Sequence, residues 1–269
     1  MVTSEPVRLS LVVRMYEVER YLPDFLDSLG AQQPGPYQAE LLLVDDGSPD
    51  GSGQLAADWL AEVSAESLFT GQVISQANAG PSAAANAGLD AATGDWISWP
   101  DPDDMLDEGY LSAVAEFILA NGDQPPATVD TKLVMFTEPD GLIEDSYVYR
   151  FKYESGARVA SLAAEPTLVT GRTNNVFFQL PLVREFGLRF DPRVRASEDE
   201  LFVASYLLQV DDPRVGVLPE ALYLYRRRAA GGGLAAEAVA RPDFLTIHMN
   251  QVALPLGRLA AERNQGRIP

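Results

Sequence analysis

The sequence predicts a three-layer α/β fold with a mostly parallel central sheet, on three observations. Apolar, β-branched runs alternate four times with segments of helical periodicity through the first half of the chain. The runs are short and nearly unbroken, the pattern of strands covered on both faces. Acidic, turn-rich loops follow two of them directly, at strand carboxyl ends, where ligands bind in such sheets.

The elements follow in order. Val7–Val13 (VRLSLVV) reads as a buried strand. From Glu17 to Gln32 a helix is expected, with Val18, Tyr21, Leu22, Phe25, Leu26 and Leu29 on one face. The second strand (AELLLV) breaks into Asp45-Asp46-Gly47-Ser48. QLAADWLAEV is helical, and GQVISQ is the third strand. A helix of small residues follows, with Pro81 in its first turn. DWISW is the fourth strand, and LSAVAEFILAN is the fourth helix. TKLVMF is a further strand. Residues 138–172 read as irregular, LPLVREFGLRFD as a short helix and turn, and EALYLYRRR as a strand. A helix is expected after Ser197, with Ser197 as its cap and acidic residues in its first turn.

Composition narrows the function. The chain has 269 residues, 46% of them hydrophobic, enough for one large domain with a short extension. With no cysteine, disulfides and thiolate metal sites are excluded. A net charge of −19 argues against nucleic-acid binding, which needs a basic patch. No apolar stretch has the length of a membrane span, and MVTSEPVRLSLVV lacks the basic start of a signal peptide. A cytoplasmic protein is expected.

Three constellations carry the chemistry. Asp101, Asp103 and Asp104 crowd into one loop, and like charges this close need a cation or solvent among them. A hard divalent cation, Mn²⁺ or Mg²⁺, takes one or two carboxylates plus substrate phosphates, and Asp103 is the expected ligand. For Asp104, a cap on the next helix weighs equally with a ligand role. Glu198 and Asp199 either complement a helix dipole or supply a general base. Arg226, Arg227 and Arg228 end a strand in a very acidic chain. At least one is expected to pair with the protein's own carboxylates, and the functional role for the others is to stabilise a leaving diphosphate.

These segments, in this order from Leu9 to Arg228, resemble the inverting nucleotide-sugar glycosyltransferases of family 2, which have the GT-A fold. The resemblance implies that Tyr16, Asp45 and Asp46 hold the nucleotide base and that Asp101 contacts ribose or donor sugar. It implies Mn²⁺ or Mg²⁺ on Asp103, Arg227 and Arg228 toward the diphosphate, Asp199 as general base and Glu198 near the acceptor. The implied organisation is a GT-A domain over 1–228, with a nucleotide-binding half (1–120) and an acceptor-binding half (121–228), then a C-terminal helical extension over 229–269. The pattern is most similar to enzymes of bacterial surface polymers, which implies a nucleoside-diphosphate sugar, UDP-linked, as donor. The implied acceptor is a glycan or polyol-phosphate polymer, lipid-linked at the membrane surface, with the protein cytoplasmic or peripheral at the inner face. The chain would then be the front domain of a longer one.

The sequence departs from the family pattern at Arg14 and Glu17, where Pro and Asn are usual, and at Ala85, where Arg is usual. Arg14 is a candidate to compensate for the arginine missing at Ala85. His248 is the chain's one histidine and stays outside the expected metal set. These departures are what support a second reading, a transferase-like binding module with impaired catalysis. A nucleotidyltransferase ranks third, because RMYEVERY lacks the glycine-rich loop such enzymes carry after the first strand.

Overall fold

The computed structural model describes residues 5–62, 68–138, 140–194 and 197–228. The expected extension over 229–269, with His248, lies outside the described residues. In the first half, β1 (Val7–Met15), β2 (Tyr37–Asp45), β3 (Phe69–Ser75) and β4 (Trp96–Ser98) run parallel. They are linked through α1 (Leu22–Gly30), α2 (Ser52–Glu62) and α3 (Pro81–Ala91), and α4 (Tyr110–Ala120) follows.

The unbroken apolar runs reflect burial on both faces. Leu9, Leu11 and Val13 of β1, with Leu41 and Leu43 of β2, pack with Phe25 and Leu26 of α1 and Leu111 and Val114 of α4. The alternate residues Val12, Leu42 and Val44 pack on the other face, with Ala84, Ala85 and Leu89 of α3. These are the two cores of a three-layer fold. The small residues of α3 allow close approach: a side chain at Gly88 would overlap the Val12 methyls. Ala85 is fully buried in this core.

The second half extends the same sheet with β5 (Met105–Leu106), β6 (Thr128–Thr137), β7 (Leu142–Glu144), β8 (Arg158–Ser161), β9 (Val176–Gln179) and β10 (Arg214–Arg227). The strand order is β3-β2-β1-β4-β9-β6-β10-β5, with β7 on β6 and β8 on β10. Because β9 is antiparallel to both β4 and β6, β6 and its parallel partner β10 run with β1. The start of β9 and the end of β10 therefore reach the edge where β1, β2 and β4 end. Helices α5 (Leu180–Glu185) and α6 (Glu198–Leu207) complete the described chain. Among the described residues, no helix is long and apolar enough to cross a membrane.

Several elements differ from expectation. α1 starts at Leu22, not Glu17, because Glu17 has φ 53° and cannot continue a right-handed helix. The expected irregular stretch 138–172 contains β7 and β8. A buried ion pair, Lys152 Nζ to Asp130 Oδ2 at 3.2 Å, ties this stretch to β6. β9 is too short to announce itself, and β10 begins at Arg214, well before Glu220. Its register against β6 shifts between Leu218 and Leu222, across Pro219, which has no N–H for the ladder.

The packing of α3 gives the first test. Gly88→Val should cost about 1–3 kcal/mol through overpacking, lowering the melting temperature by several degrees in a circular-dichroism melt. An unchanged melt would mean that α3 does not seat on Val12.

Candidate active site at the carboxyl edge of the sheet

β2 delivers Asp45 and Asp46 to the edge with different duties. Asp46 is buried and accepts hydrogen bonds from Gln76 Nε2 (2.6 Å), Ala79 N (2.9 Å) and Gly80 N (2.8 Å). It thereby fixes the loop that enters α3. Asp45 Oδ1 accepts from Ser48 N at 2.9 Å, closing the tight turn in which Gly47 takes φ 70°. Tyr16 follows Met15, the register partner of Asp45, and is 44% exposed. An open aromatic ring beside a partly open carboxylate suits a planar, hydrogen-bonding ligand.

The acidic loop leaves β4 and returns to the sheet at once, since β5 pairs with Tyr223 and Leu224 of β10. Each aspartate in it has its own partner. Asp101 accepts from Arg14 Nη2 and from Asn174 Nδ2, both at 3.0 Å. Asp103 Oδ2 accepts from Arg228 Nη2 (2.5 Å) and Nε (3.1 Å). Burial and neighbouring Asp101 push the Asp103 carboxyl up, while Arg228 opposes them. Asp104 accepts from the Tyr223 hydroxyl (2.7 Å) and from Arg226 N (2.8 Å). Burial, then Asp101 and Asp103, hold the Asp104 carboxyl well above the usual range. Asp104 is therefore not a helix cap: α4 starts at Tyr110, with Gly109 at the cap position. It binds the loop to β10, and the Tyr223 oxygen also accepts from Asp101 N at 3.0 Å.

Arg14, near the end of β1, joins this loop to α6. Besides Asp101, its guanidinium faces Glu198 Oε1 at 3.6 Å and Asp199 Oδ1 at 3.9 Å. Burial pushes the Asp199 carboxyl up to about 7, with Glu198 and Asp101 adding to the shift and Arg14 and Thr173 opposing it. Burial would lower the Arg14 pKa, but Asp199, Asp101 and Glu198 outweigh it and hold the pKa above its usual value. Ser197 stands at the N-cap position of α6 but does not act as the expected cap. Its φ is 62°, and its hydroxyl makes no capping hydrogen bond. Left-handed backbone is strained for serine.

The three arginines diverge. Arg226 is buried and pairs with Asp24 and Glu138, each at 2.7 Å, as expected of at least one of them. Arg228 lies 4.5 Å from the centroid of the Tyr21 ring while holding Asp103. Arg227 is exposed, alternates to the other side of β10 and is not brought to Asp103. A further arginine, Arg172, lies between the rings of Tyr147 (5.0 Å) and Tyr225 (5.2 Å).

Among the described residues, no group of three or more His, Cys, Asp or Glu side chains could hold a metal ion unaided. The donors do fit a hard cation completed by substrate oxygens, because Arg228 takes only Oδ2 of Asp103. Sequence reasoning missed Thr173, Asn174 and Tyr223, and connected Arg14 to the nucleotide rather than to Asp199. The polar run Thr173-Asn174-Asn175 was the available signal, but it could be placed only once β9 was known.

An open aromatic ring, paired aspartates and a half-buried carboxylate raised by desolvation thus gather at the carboxyl edge, where ligands bind in α/β sheets. The family model "Glycosyl transferase family 2" matches residues 10–134 of the chain. The chain is 26% identical over 236 residues to the minor teichoic acid biosynthesis protein GgaB of Bacillus subtilis, covering 87% of this chain and 25% of GgaB. It is 23% identical over 241 residues to the poly(ribitol-phosphate) beta-N-acetylglucosaminyltransferase TarS of Staphylococcus aureus, covering 90% of this chain and 39% of TarS. The chain thus spans only part of these relatives. The fold matches the crystal structure of S. aureus TarS 1-349 in complex with UDP-GlcNAc, with a TM-score of 0.68, 20% identity, and coverage of 91% of this chain and 74% of that one.

Tyr223→Phe tests the loop's anchorage. It removes the donor to Asp104 and the acceptor for Asp101 N, so stability in urea should fall by about 1–3 kcal/mol. No change would mean that the loop is held elsewhere.

Proposed function

We propose that this domain transfers a sugar from a nucleoside-diphosphate sugar, a UDP-sugar, to a hydroxyl of a surface polysaccharide or teichoic-acid-like polymer, with inversion. The observation that carries the reading is the place of Asp199: a half-buried carboxyl facing Arg14, at the same sheet edge as the Asp101–Asp103 loop, with desolvation raising it to about 7. Tyr16 and Asp45 receive the base, while Asp46 holds the adjoining loop. Asp101 meets the ribose or donor sugar. Asp103 would hold Mn²⁺ or Mg²⁺ against the diphosphate, and the cation, when bound, supplies charge neutralisation to the leaving group. Arg228 adds a second positive charge there, and Arg227 stands at the rim.

Asp199 takes the proton from the acceptor hydroxyl as that oxygen attacks the anomeric carbon, and Glu198 lines the acceptor side. The names of GgaB and TarS support a polymer acceptor. Arg172, held between two tyrosines and close enough to Asp101 to feel its charge, supports an anionic one. Such an acceptor, lipid-linked, would place the protein in the cytoplasm or at the inner membrane face.

One observation favours the alternative, a nucleotide- or glycan-binding module without turnover: Arg228 already occupies one oxygen of Asp103. A thermal-shift panel of nucleoside diphosphates and their sugars, with and without Mn²⁺, separates the readings. Stabilisation by a nucleotide sugar, followed by turnover of it, supports transfer; stabilisation without turnover supports the module.

Asp199→Asn should cut transfer by about two to four decades while leaving UDP affinity near that of the unsubstituted protein, and surviving transfer would remove Asp199 from the base role. Asp103→Ala should abolish the Mn²⁺ dependence of UDP affinity in calorimetry. Retention of that dependence would place the cation on other ligands.

A further inference from the structure

Buried polar atoms without hydrogen-bond partners are uncommon and call for an explanation. Among the described residues, four such atoms, Arg14 Nη1, Asp199 Oδ1, Thr173 Oγ1 and Asn174 Oδ1, belong to one cluster, and Ser82, Thr137 and Asn175 have one each as well. The four come from β1, the start of α6 and the loop entering β9. The guanidinium of Arg14 is divided between two tasks. Nη2 is anchored on Asp101 at 3.0 Å, while Nη1 points between Glu198 and Asp199 at 3.6 and 3.9 Å. The latter distances are too long for hydrogen bonds, yet short enough for strong attraction in a half-enclosed site.

The two ends of this link differ in firmness. Arg14 belongs to a central strand, paired in register with Val44. Asp199 lies in the first turn of a helix entered through the left-handed backbone of Ser197. A fixed cation therefore faces a carboxylate on the less regular support.

We propose that Arg14 is a positioning residue for the transfer: anchored on Asp101, its guanidinium orients the Asp199 carboxylate toward the acceptor hydroxyl and keeps it charged. This rests on the reading of Asp199 as the general base. The groups facing Asp199 are Arg14 from β1, Glu198 from α6, Asp101 from the loop after β4 and Thr173 from the loop before β9. Without Arg14, burial, Glu198 and Asp101 all favour the protonated carboxyl. A base works deprotonated, so removing Arg14 moves the acid limb of the activity profile to higher pH. The same guanidinium touches the donor-side aspartate and the base, and so links the two halves of the reaction.

The experiment is the pH dependence of kcat/KM for sugar transfer by the full chain and by R14M, R14K and D199N, using the donor found in the thermal-shift panel. The unsubstituted protein should show an acid limb near 7. In R14M the limb should rise by about one to three units, with a loss of roughly fivefold or more at pH 7. R14K keeps the charge but cannot span both partners, so its limb should lie between the two. An unmoved limb in R14M, with D199N inactive, overturns the positioning role and leaves the base assignment standing. Full activity in D199N overturns the base assignment and this inference with it. If R14M does not fold, R14K alone decides: an upward shift supports the role, and an unmoved limb overturns it.

Discussion

The structure depends on the neutralisation of negative charge at one edge of a sheet. Parallel strands bring Asp46 and the Asp101–Asp104 loop there, and α6 adds Glu198 and Asp199. Unpartnered, these carboxylates would repel one another and resist burial. The chain gives the loop carboxylates their counterparts: backbone amides for Asp46, Arg14 and Asn174 for Asp101, Arg228 for Asp103, and Tyr223 with Arg226 N for Asp104. Four of these partners, Asn174, Tyr223, Arg226 and Arg228, come from the second half of the chain. The second half of the chain is thus what allows the first half to crowd acids at its edge.

The parallel half was legible because β1 and β2 are nine residues long and their apolar residues alternate between two cores. Leu41 and Leu43 face one layer, and Leu42 and Val44 the other, so the run reads as buried on both sides. The loops rich in Asp, Gly and Ser could likewise be placed at strand ends from the pattern alone. β9 and β8 were not legible. Each has four residues, and each is held by long-range pairing that leaves no local period.

The site was legible as a set of residue types and less so as a set of partnerships. Asp104 looked like a helix cap because it shortly precedes a helix, but the return strand β5 carries it inward to Tyr223. Ser197 had the identity and position of a cap, and its left-handed backbone removed the role. Arg14 stood out as a departure from the family pattern. Only the fold shows what a guanidinium there faces, because Asp101 and Asp199 lie far from it in sequence and near it in space.

The place of β9 has a mechanical consequence. It runs antiparallel between β4 and β6 and stitches them into one sheet, so the strands of the first and second halves of the chain share a continuous hydrogen-bonded ladder. Asp101 lies just beyond β4 and Asp199 in the first turn of α6, and Arg14 of β1 faces both. The loops that hold Asp46 and the Asp101–Asp104 cluster rise from the ends of this one ladder, so their spacing is inherited from it.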